Sequence, residues 1–251
     1  MKLLLPQNIF SKVFTSELQD NNDFEFQFIP SSLIAKNLLQ NTDAIGLIPT
    51  LDLLNHKDLF VSSEIGISFN ALLSNSYIHF KEGQETVSEI FLKGDISSNE
   101  VVLSKILFKE LYEVDVKHTL VTDETSHQKD NLLIAGDENY EKKLFLNGLS
   151  FSEEVIELIS APYVNFVLAS STESSLKTFT SVHKNDFGNG HAEVYEYILK
   201  HLPEDSIDFI TVNIHHIVFD FEDQDLEGIK SLLQLPYYHG IIKDIIDIKY
   251  V

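Results

Sequence analysis

Apolar and polar positions along the first 72 residues alternate between strand and helix patterns. Residues 24–29 (FEFQFI) have the alternation of a strand, and residues 44–48 (AIGLI) form an all-apolar run typical of a parallel strand covered on both faces. Residues 30–32 supply capping side chains for a helix predicted over 32–40, and a shorter helix is predicted over 49–54. Strands and helices that alternate through short turns predict right-handed βαβ units.

The same alternation continues to the end of the chain. Further strands are predicted at residues 67–74, 90–92, 132–135, 162–169 and 207–221. Further helices are predicted at residues 100–112, around 155–159, at 191–201, at 224–234 and in a short segment at the C-terminus. This order predicts an α/β protein with two lobes and a central cleft. The boundaries follow from the two βαβ sets: residues 1–72 and 175–251 form lobe I, residues 73–168 form lobe II, and the crossover hinge lies near 70–76 and 166–174.

Charge and composition exclude several classes of partner. The chain has 39 acidic residues and 18 basic ones, all of them lysine, for a formal net charge of -21. Nucleic acids and anionic membrane surfaces are bound by positive charge, so neither is expected as a partner. No cysteine is present, which excludes disulfides and thiolate sites. No apolar run reaches the roughly 18–20 residues that span a bilayer, and the first six residues are too short for a secretory signal. A cytoplasmic location is therefore expected.

The absence of arginine restricts how an anion can be held. Without guanidinium groups, carboxylates must be bound by backbone N–H groups, hydroxyls, amides or lysine. Three polar turns precede predicted helices, at residues 6–8, 49–50 and 97–99. Each would present N–H groups and a positive dipole end to an anion. The alternative for each turn is plain helix capping.

Metal and cofactor motifs are missing. His215 and His216 are adjacent in a predicted strand, so their side chains should point to opposite faces and cannot chelate one ion. Neither an H-E-x-x-H motif, nor a phosphate-binding loop, nor a G-x-S-x-G elbow occurs. We expect no metal and no cofactor.

Six short motifs, in order along the chain, carry a resemblance to a known family. They are Asp43-Ala44-Ile45-Gly46-Leu47-Ile48-Pro49-Thr50, the strand from Ser63-Glu64 to Leu73, Asp95-Ile96-Ser97-Ser98-Asn99-Glu100, Ile134-Ala135-Gly136-Asp137, Pro162-Tyr163-Val164-Asn165-Phe166, and Leu226-Glu227-Gly228-Ile229. The chain resembles the menaquinone-biosynthesis family of the futalosine route, which includes chorismate dehydratase. The resemblance implies a periplasmic-binding-protein-like type II fold.

The resemblance also implies an activity and a set of site residues. The activity is that of a carbon-oxygen lyase, which dehydrates chorismate to 3-[(1-carboxyvinyl)oxy]benzoate in the cleft without a cofactor. Asn8, after the first strand, falls at the position of the family's catalytic asparagine. The implied ligand is a small anionic metabolite like chorismate, and the protein would act as a monomer or homodimer. The substrate-binding residues implied are Thr50, Ser68, Asn70, Ser97, Ser98 and Asn99.

The chain departs from the family pattern around Asn8, where the family's L-N-T-x-P is not reproduced, and at four further motif positions. Ile65 replaces a glycine, Phe69 a serine, Glu100 a hydroxyl residue and Leu168 a tryptophan. A carboxylate at residue 100 would repel a bound carboxylate unless it points away. The alternative, from a different class, is a non-catalytic small-anion binding protein of the same fold. A structural, partner-binding protein has no positive support beyond the acidic surface.

Overall fold

Two β-sheets flanked by helices organise the computed structural model, which describes residues 1–18, 24–83, 86–121, 130–187 and 192–251. The strands of the larger sheet are β1 (Lys2–Pro6), β2 (Glu25–Ile29), β3 (Ala44–Pro49), β4 (Phe60–Phe69), β10 (Tyr163–Ser170), β11 (Ile217–Asp220) and β12 (Lys249–Tyr250). Those of the smaller sheet are β5 (Ser76–His79), β6 (Glu89–Gly94), β7 (Lys117–Leu120), β8 (Leu132–Ala135) and β9 (Leu149–Ser150).

Helices cover both sheets. They are α1 (Ile9–Glu17), α2 (Ser31–Gln40), α3 (Ser98–Tyr112), α4 (Glu138–Glu141), α5 (Phe151–Ile159), α6 (Glu173–His183), α7 (Ala192–Leu199), α8 (Glu204–Asn213) and α9 (Asp223–Tyr238). Short 3₁₀ segments lie at Thr50–Leu54, Leu144–Leu146 and Ile214–His216. Among the described residues, no helix combines the length and the apolar content that crossing a membrane requires.

The larger sheet has the strand order β11-β4-β10-β3-β1-β2, with β12 added beside β4. β1 pairs in parallel with β2 and β3, as βαβ units require, and β10 runs antiparallel between β3 and β4. All residues of β3 and β10 are buried, because helices cover both faces of the sheet centre. The parallel strands place the first turns of α1 and α2 at one edge of this sheet.

The smaller sheet has the order β7-β6-β8-β5-β9, in which β6 is parallel to β7 and β8. The sequence assigned residues up to 168 to the second lobe, whereas the strand Tyr163–Ser170 pairs with β3 and β4 of the larger sheet. The division into two lobes that move about a hinge stays a prediction.

Most predicted elements are present, but the strand predicted at 207–221 is wrong. Residues 204–213 form α8, a 3₁₀ turn follows, and only Ile217–Asp220 is a strand. The buried residues of α8 are Ser206, Ile210 and Asn213, a helical spacing that outweighs the β-branched content. The C-terminal helix is also wrong: after Gly240, which has a φ of +66°, the described chain runs to β12 without another helix.

Candidate functional site

The first turns of α1 and α2 face the ends of β6 and β8, and we call this boundary the inter-sheet cleft. α1 begins after Asn8, whose side-chain oxygen accepts a hydrogen bond from the Ser11 N–H at 2.8 Å. α2 begins after Pro30, which offers no side-chain cap. The two helices therefore differ in how their free N–H groups are satisfied locally.

Both helix starts hold a carboxylate from the smaller sheet. The Ile9 N–H donates to Asp137 Oδ1 at 2.8 Å. The Ser31 N–H donates to Asp95 Oδ1 at 2.9 Å, and the Ser31 hydroxyl donates to Asp95 Oδ2 at 2.5 Å. Carboxylates suit these positions because a helix N-terminus carries partial positive charge. The cleft is therefore closed by the chain's own acidic side chains.

Two Gly-Asp pairs bring these carboxylates to the cleft. β6 ends in Gly94 and β8 is followed by Gly136, with φ values of +90° and +102°. A Cβ on Gly94 would lie 2.0 Å from the Ala135 carbonyl oxygen, so only glycine fits. Because β6 and β8 are parallel neighbours, Asp95 and Asp137 emerge at the same sheet edge. Both aspartates lie in motifs that carry the family resemblance, but neither is among the predicted site residues; the repeated Gly-Asp at two strand ends is the signal that could have identified them.

The start of α3 is one of the predicted anion-binding turns, and its hydrogen-bond donors bind a side chain of α3 itself. The Ser97 N–H and hydroxyl donate to Glu100 Oε2 at 2.9 and 2.6 Å, and the Ser76 hydroxyl donates to Glu100 Oε1 at 2.9 Å. Burial of Glu100 raises the pKa of its carboxyl, and the Ser97 and Ser76 hydrogen bonds oppose that shift. Glu100 thus takes the place at which the sequence expected a ligand carboxylate.

The 3₁₀ segment Thr50–Leu54 packs directly against the start of α3. Asn99 Oδ1 accepts from the Leu51 N–H at 2.9 Å, and its amide nitrogen donates to the Asn165 carbonyl oxygen at 2.7 Å. The Thr50 hydroxyl donates to the Val164 carbonyl oxygen at 2.5 Å. The structure therefore brings Thr50 and Asn99 together, but both are engaged with protein groups.

Asp52 is a buried acid at this contact and was not among the predicted site residues. Burial raises its pKa to about 6, and the nearby Glu100 carboxylate adds to the rise; the Ser98 hydroxyl beside it is buried and has no hydrogen-bond partner among the described residues. A carboxyl group with such a pKa changes protonation close to neutral pH, which is a property of functional acids and bases. No pattern in the sequence separates Asp52 from an exposed helix-starting aspartate.

The remaining predicted residues have different environments. Asn8 is fully buried, and its amide nitrogen has no hydrogen-bond partner among the described residues. Ser68 is also fully buried, and its hydroxyl likewise lacks a partner in the described part of the chain. Asn70 is exposed and contacts His216, whose Nδ1 lies 2.9 Å from Asn70 Oδ1. Asn8 and Ser68 thus keep unused polar groups, and Asn70 is engaged with His216.

Aromatic side chains fill the space between the sheets. The ring centroid of Phe10, in the first turn of α1, lies 5.1 Å from that of Phe69 and 5.8 Å from that of Tyr140. Phe69 also stacks on Tyr163 at 6.5 Å. All four side chains are at most 1% exposed. Phe69, one of the departures from the family pattern, therefore narrows the cleft.

The other two departures lie inside the larger sheet. Ile65 and Leu168 are fully buried, in β4 and β10. A glycine at residue 65 would leave a void in this packing. Ile65 and Leu168 therefore fill the core of the sheet.

His215 and His216 do not have the geometry that the sequence predicted. They lie in a 3₁₀ turn rather than a strand, and their ring centroids are 4.0 Å apart. The prediction of opposite faces is wrong because the turn brings consecutive side chains to one side. Within the described ranges, no group of three or more His, Asp or Glu side chains could hold a metal ion.

Two cavities lie away from the inter-sheet cleft. One of about 630 Å³ is at the amino-terminal ends of β1 and β3, next to Met1 and Asp43. Another of about 740 Å³ is on the smaller sheet, beside Lys93 and Glu138. In this structure the cleft is occupied by the contacts described above.

Comparisons with known proteins bear on the fold. No protein-family model and no curated protein matches the chain. Among solved structures, protein AF1704 from Archaeoglobus fulgidus has a TM-score of 0.68 at 10% identity, over 96% of this chain and 98% of that one. The periplasmic aliphatic sulphonate binding protein SsuA from Escherichia coli has a TM-score of 0.63 at 12% identity, over 99% and 90%. The chain has a periplasmic-binding-protein-like fold of type II.

A further similar structure was solved with a ligand of its own. The alkanesulfonate-binding protein SsuA from Xanthomonas axonopodis pv. citri, bound to MOPS, has a TM-score of 0.64 at 11% identity, over 100% of this chain and 97% of that one. Identities at this level show the fold alone, since one fold supports many functions. The periplasmic-binding-protein-like fold predicted from the sequence is confirmed, and membership of the menaquinone-biosynthesis family stays a prediction.

Proposed function

We propose that the chain binds a small molecule with a carboxylate or sulfonate group in the inter-sheet cleft. One observation carries this proposal: the starts of α1 and α2 each hold a carboxylate, supplied by Asp137 and Asp95. A ligand acid group would replace one of these side chains when the sheets separate.

The chemistry of the cleft supports an acid group on the ligand. Backbone N–H groups of Ile9 and Ser31 already donate to carboxylate oxygens, as a protein without arginine requires. The Asn8 amide nitrogen, which has no hydrogen-bond partner among the described residues, adds a further donor at the start of α1. The SsuA proteins that share the fold are named for binding sulfonates. These features support a binding role.

A titration with propionate and ethanesulfonate, followed by calorimetry, tests the binding role. Asp137→Asn replaces a charged acceptor with a neutral one, so the ligand competes with a weaker internal hydrogen bond. The two kinds of bond differ by about 1.4 kcal/mol, so we expect about tenfold tighter binding of either probe to the variant. Asp58→Asn is the control, because the Asp58 side chain is 92% exposed. Absence of binding by both probes, to folded wild type and variant alike, would refute the proposal.

A second candidate is the lyase activity that the family resemblance implies, dehydration of chorismate in menaquinone biosynthesis. The amide nitrogen of buried Asn8 favours it: this donor has no acceptor in the described part of the chain and is therefore available for a reacting oxygen. In this proposal, Asn8 donates to the reacting centre. The residues proposed to hold carboxylates and hydroxyls are Thr50, Ser68, Asn70, Ser97, Ser98 and Asn99.

Asn8→Ser separates catalysis from capping. Serine caps a helix about as well as asparagine, but it lacks the amide donor. Formation of the aromatic product from chorismate should fall by about 100-fold, a typical loss for one donor to a reacting oxygen, with little change in binding affinity. If the wild-type protein binds a small anion but forms no aromatic product from chorismate, the lyase proposal is refuted and the binding proposal remains.

Location and assembly stay predictions from the sequence. We propose a cytoplasmic protein that is a monomer or a homodimer. Light scattering after gel filtration measures the mass against 28.6 kDa for one chain.

A further inference from the structure

Lys12 brings a positive charge to the start of α1. Its Nζ lies 3.7 Å from Asp137 Oδ2, and the Ile9 N–H donates to Asp137 Oδ1 at 2.8 Å. Residues 9 and 12 lie on the same face of α1, because positions three apart are neighbours on a helix surface. Each oxygen of the Asp137 carboxylate therefore has its own partner on α1.

Most of the groups around Asp137 favour a negative charge at this position. Burial raises the pKa of the Asp137 carboxyl and Glu141 adds to the rise, whereas the Ile9 N–H, Lys12 and His201 oppose it. Two basic side chains and a helix N-terminus thus act on the place that this carboxylate occupies.

The start of α2 differs in this respect. Both groups that donate to Asp95, the Ser31 N–H and the Ser31 hydroxyl, are uncharged. In the described part of the chain, Lys12 is the one cation within 4 Å of either Asp95 or Asp137. An acid group of a ligand would therefore meet a compensating charge at α1, but only neutral donors at α2.

An unused donor lies at the start of α1 as well. Asn8 is fully buried, and its Oδ1 accepts from the Ser11 N–H, which fixes the amide group at the first turn of the helix. The Asn8 amide nitrogen has no hydrogen-bond partner among the described residues. This donor adds to the Ile9 N–H and the Lys12 ammonium group.

We propose that Lys12 determines the specificity of the site for an acid group: its ammonium group contacts Asp137 in this structure, and binds the acid group of a ligand that takes the place of the Asp137 carboxylate. This inference rests on the proposed binding function and assigns the acid group to the start of α1. The ligand carries a single carboxylate or sulfonate at this end, since the exchange replaces one negative charge with another.

Calorimetry in two backgrounds, with propionate, ethanesulfonate and the neutral propionamide, tests the role of Lys12. In wild type, Lys12→Gln should change the affinity for either acid by less than about twofold, because Lys12 stabilises both Asp137 and the acid that replaces it. In Asp137→Asn this competition is absent. There, Lys12→Gln should weaken both acids by about fivefold, the size of a partly exposed ion pair, and should leave propionamide unchanged. Lys12→Arg keeps the charge and should retain the affinity.

Lys2→Gln in the Asp137→Asn background is the matched control. The Lys2 side chain is 49% exposed, against 42% for Lys12, and it pairs with Glu25 at the opposite end of β1 from the cleft. This variant removes the same charge from the chain and should leave the affinity unchanged. Losses of equal size in the two lysine variants would mean that net charge sets the affinity, and would overturn the proposal.

The outcomes separate this inference from the binding function on which it rests. If Asp137→Asn binds both acids equally well with and without Lys12, the role of Lys12 is overturned and the binding function remains. Absence of binding by both acids, to folded wild type and Asp137→Asn alike, overturns both. Where the double variant fails to fold, the Lys12 Nζ resonance of Asp137→Asn decides: it should shift when ethanesulfonate is added, and an unshifted resonance overturns the proposal.

Discussion

Asp52 lies at the contact between the 3₁₀ segment Thr50–Leu54 and the start of α3, where its side chain is only 9% exposed. Asp52→Asn removes the charge but keeps the shape of the side chain. Because burial of the charged form is unfavourable, we expect the variant to be more stable than wild type at neutral pH.

The size of the effect follows from the pKa of Asp52, which burial raises from 3.8 to about 6. Each unit corresponds to about 1.4 kcal/mol, so the ionised carboxyl lowers the free energy of unfolding by about 3 kcal/mol at pH 7. Because the pKa of Asp52 is higher in the folded state, the folded state binds the proton more tightly than the unfolded state does. Stability is therefore lost as pH rises from 3.8 to about 6.

Urea unfolding of wild type and Asp52→Asn at pH 4, 5, 6 and 7 measures this difference directly. The advantage of the variant should be near zero at pH 4 and should grow to about 3 kcal/mol at pH 7. Subtracting the two proteins at each pH cancels the titration of the other carboxylates. Asp58→Asn, at a 92% exposed side chain, should show no such trend.

Two results would contradict this reasoning. A variant that is less stable than wild type at pH 7 would mean that the Asp52 carboxylate has a favourable partner. A difference that does not change with pH would mean that the Asp52 pKa is unshifted and that the effect comes from packing.

Two further predictions concern Gly66 in β4 of the larger sheet and Asn8 at the start of α1. Gly66→Ala should lower the free energy of unfolding by about 3 kcal/mol. The new Cβ would lie 2.2 Å from the Phe221 ring and 2.5 Å from the Phe166 carbonyl oxygen. A loss of less than about 1 kcal/mol in urea unfolding would contradict this prediction. Asn8→Ala should cost about 1 kcal/mol through loss of the α1 cap, and Asn8→Ser a few tenths; equal losses in the two variants would show that the cap contributes little.

The parts of the fold that follow from local patterns could be predicted from the sequence. Three examples are the all-apolar run in β3, the polar turn before α1 and the helix pattern in α3. Each depends only on residues that are close together in the sequence. The strand predicted at 207–221 failed because this stretch is rich in β-branched residues, although Ile210 is the one β-branched residue on the buried face of α8. The start of α8 at Pro203, followed by Glu204 and Asp205, was the stronger signal.

The contents of the cleft could not be predicted in the same way. Which helix start meets Asp95 or Asp137 depends on how the two sheets face each other, and residues 64 and 128 positions apart form these contacts. The role of the Glu100 carboxylate could not be predicted for the same reason. Its effect on a ligand depends on whether it faces the cleft or its own helix start, and the structure places it on Ser97.

The closed cleft is compatible with ligand binding because its polar contacts can be exchanged. A ligand carboxylate at the start of α1 makes the same kind of bond that Asp137 makes now, so this exchange changes the free energy little. Separation of the sheets loses the Phe10–Tyr140 ring contact, worth roughly 0.5–1.5 kcal/mol. Affinity must therefore come from groups that the closed form leaves unused. The Asn8 amide nitrogen is such a group, so replacing it should weaken a ligand that accepts from it more than a ligand that cannot.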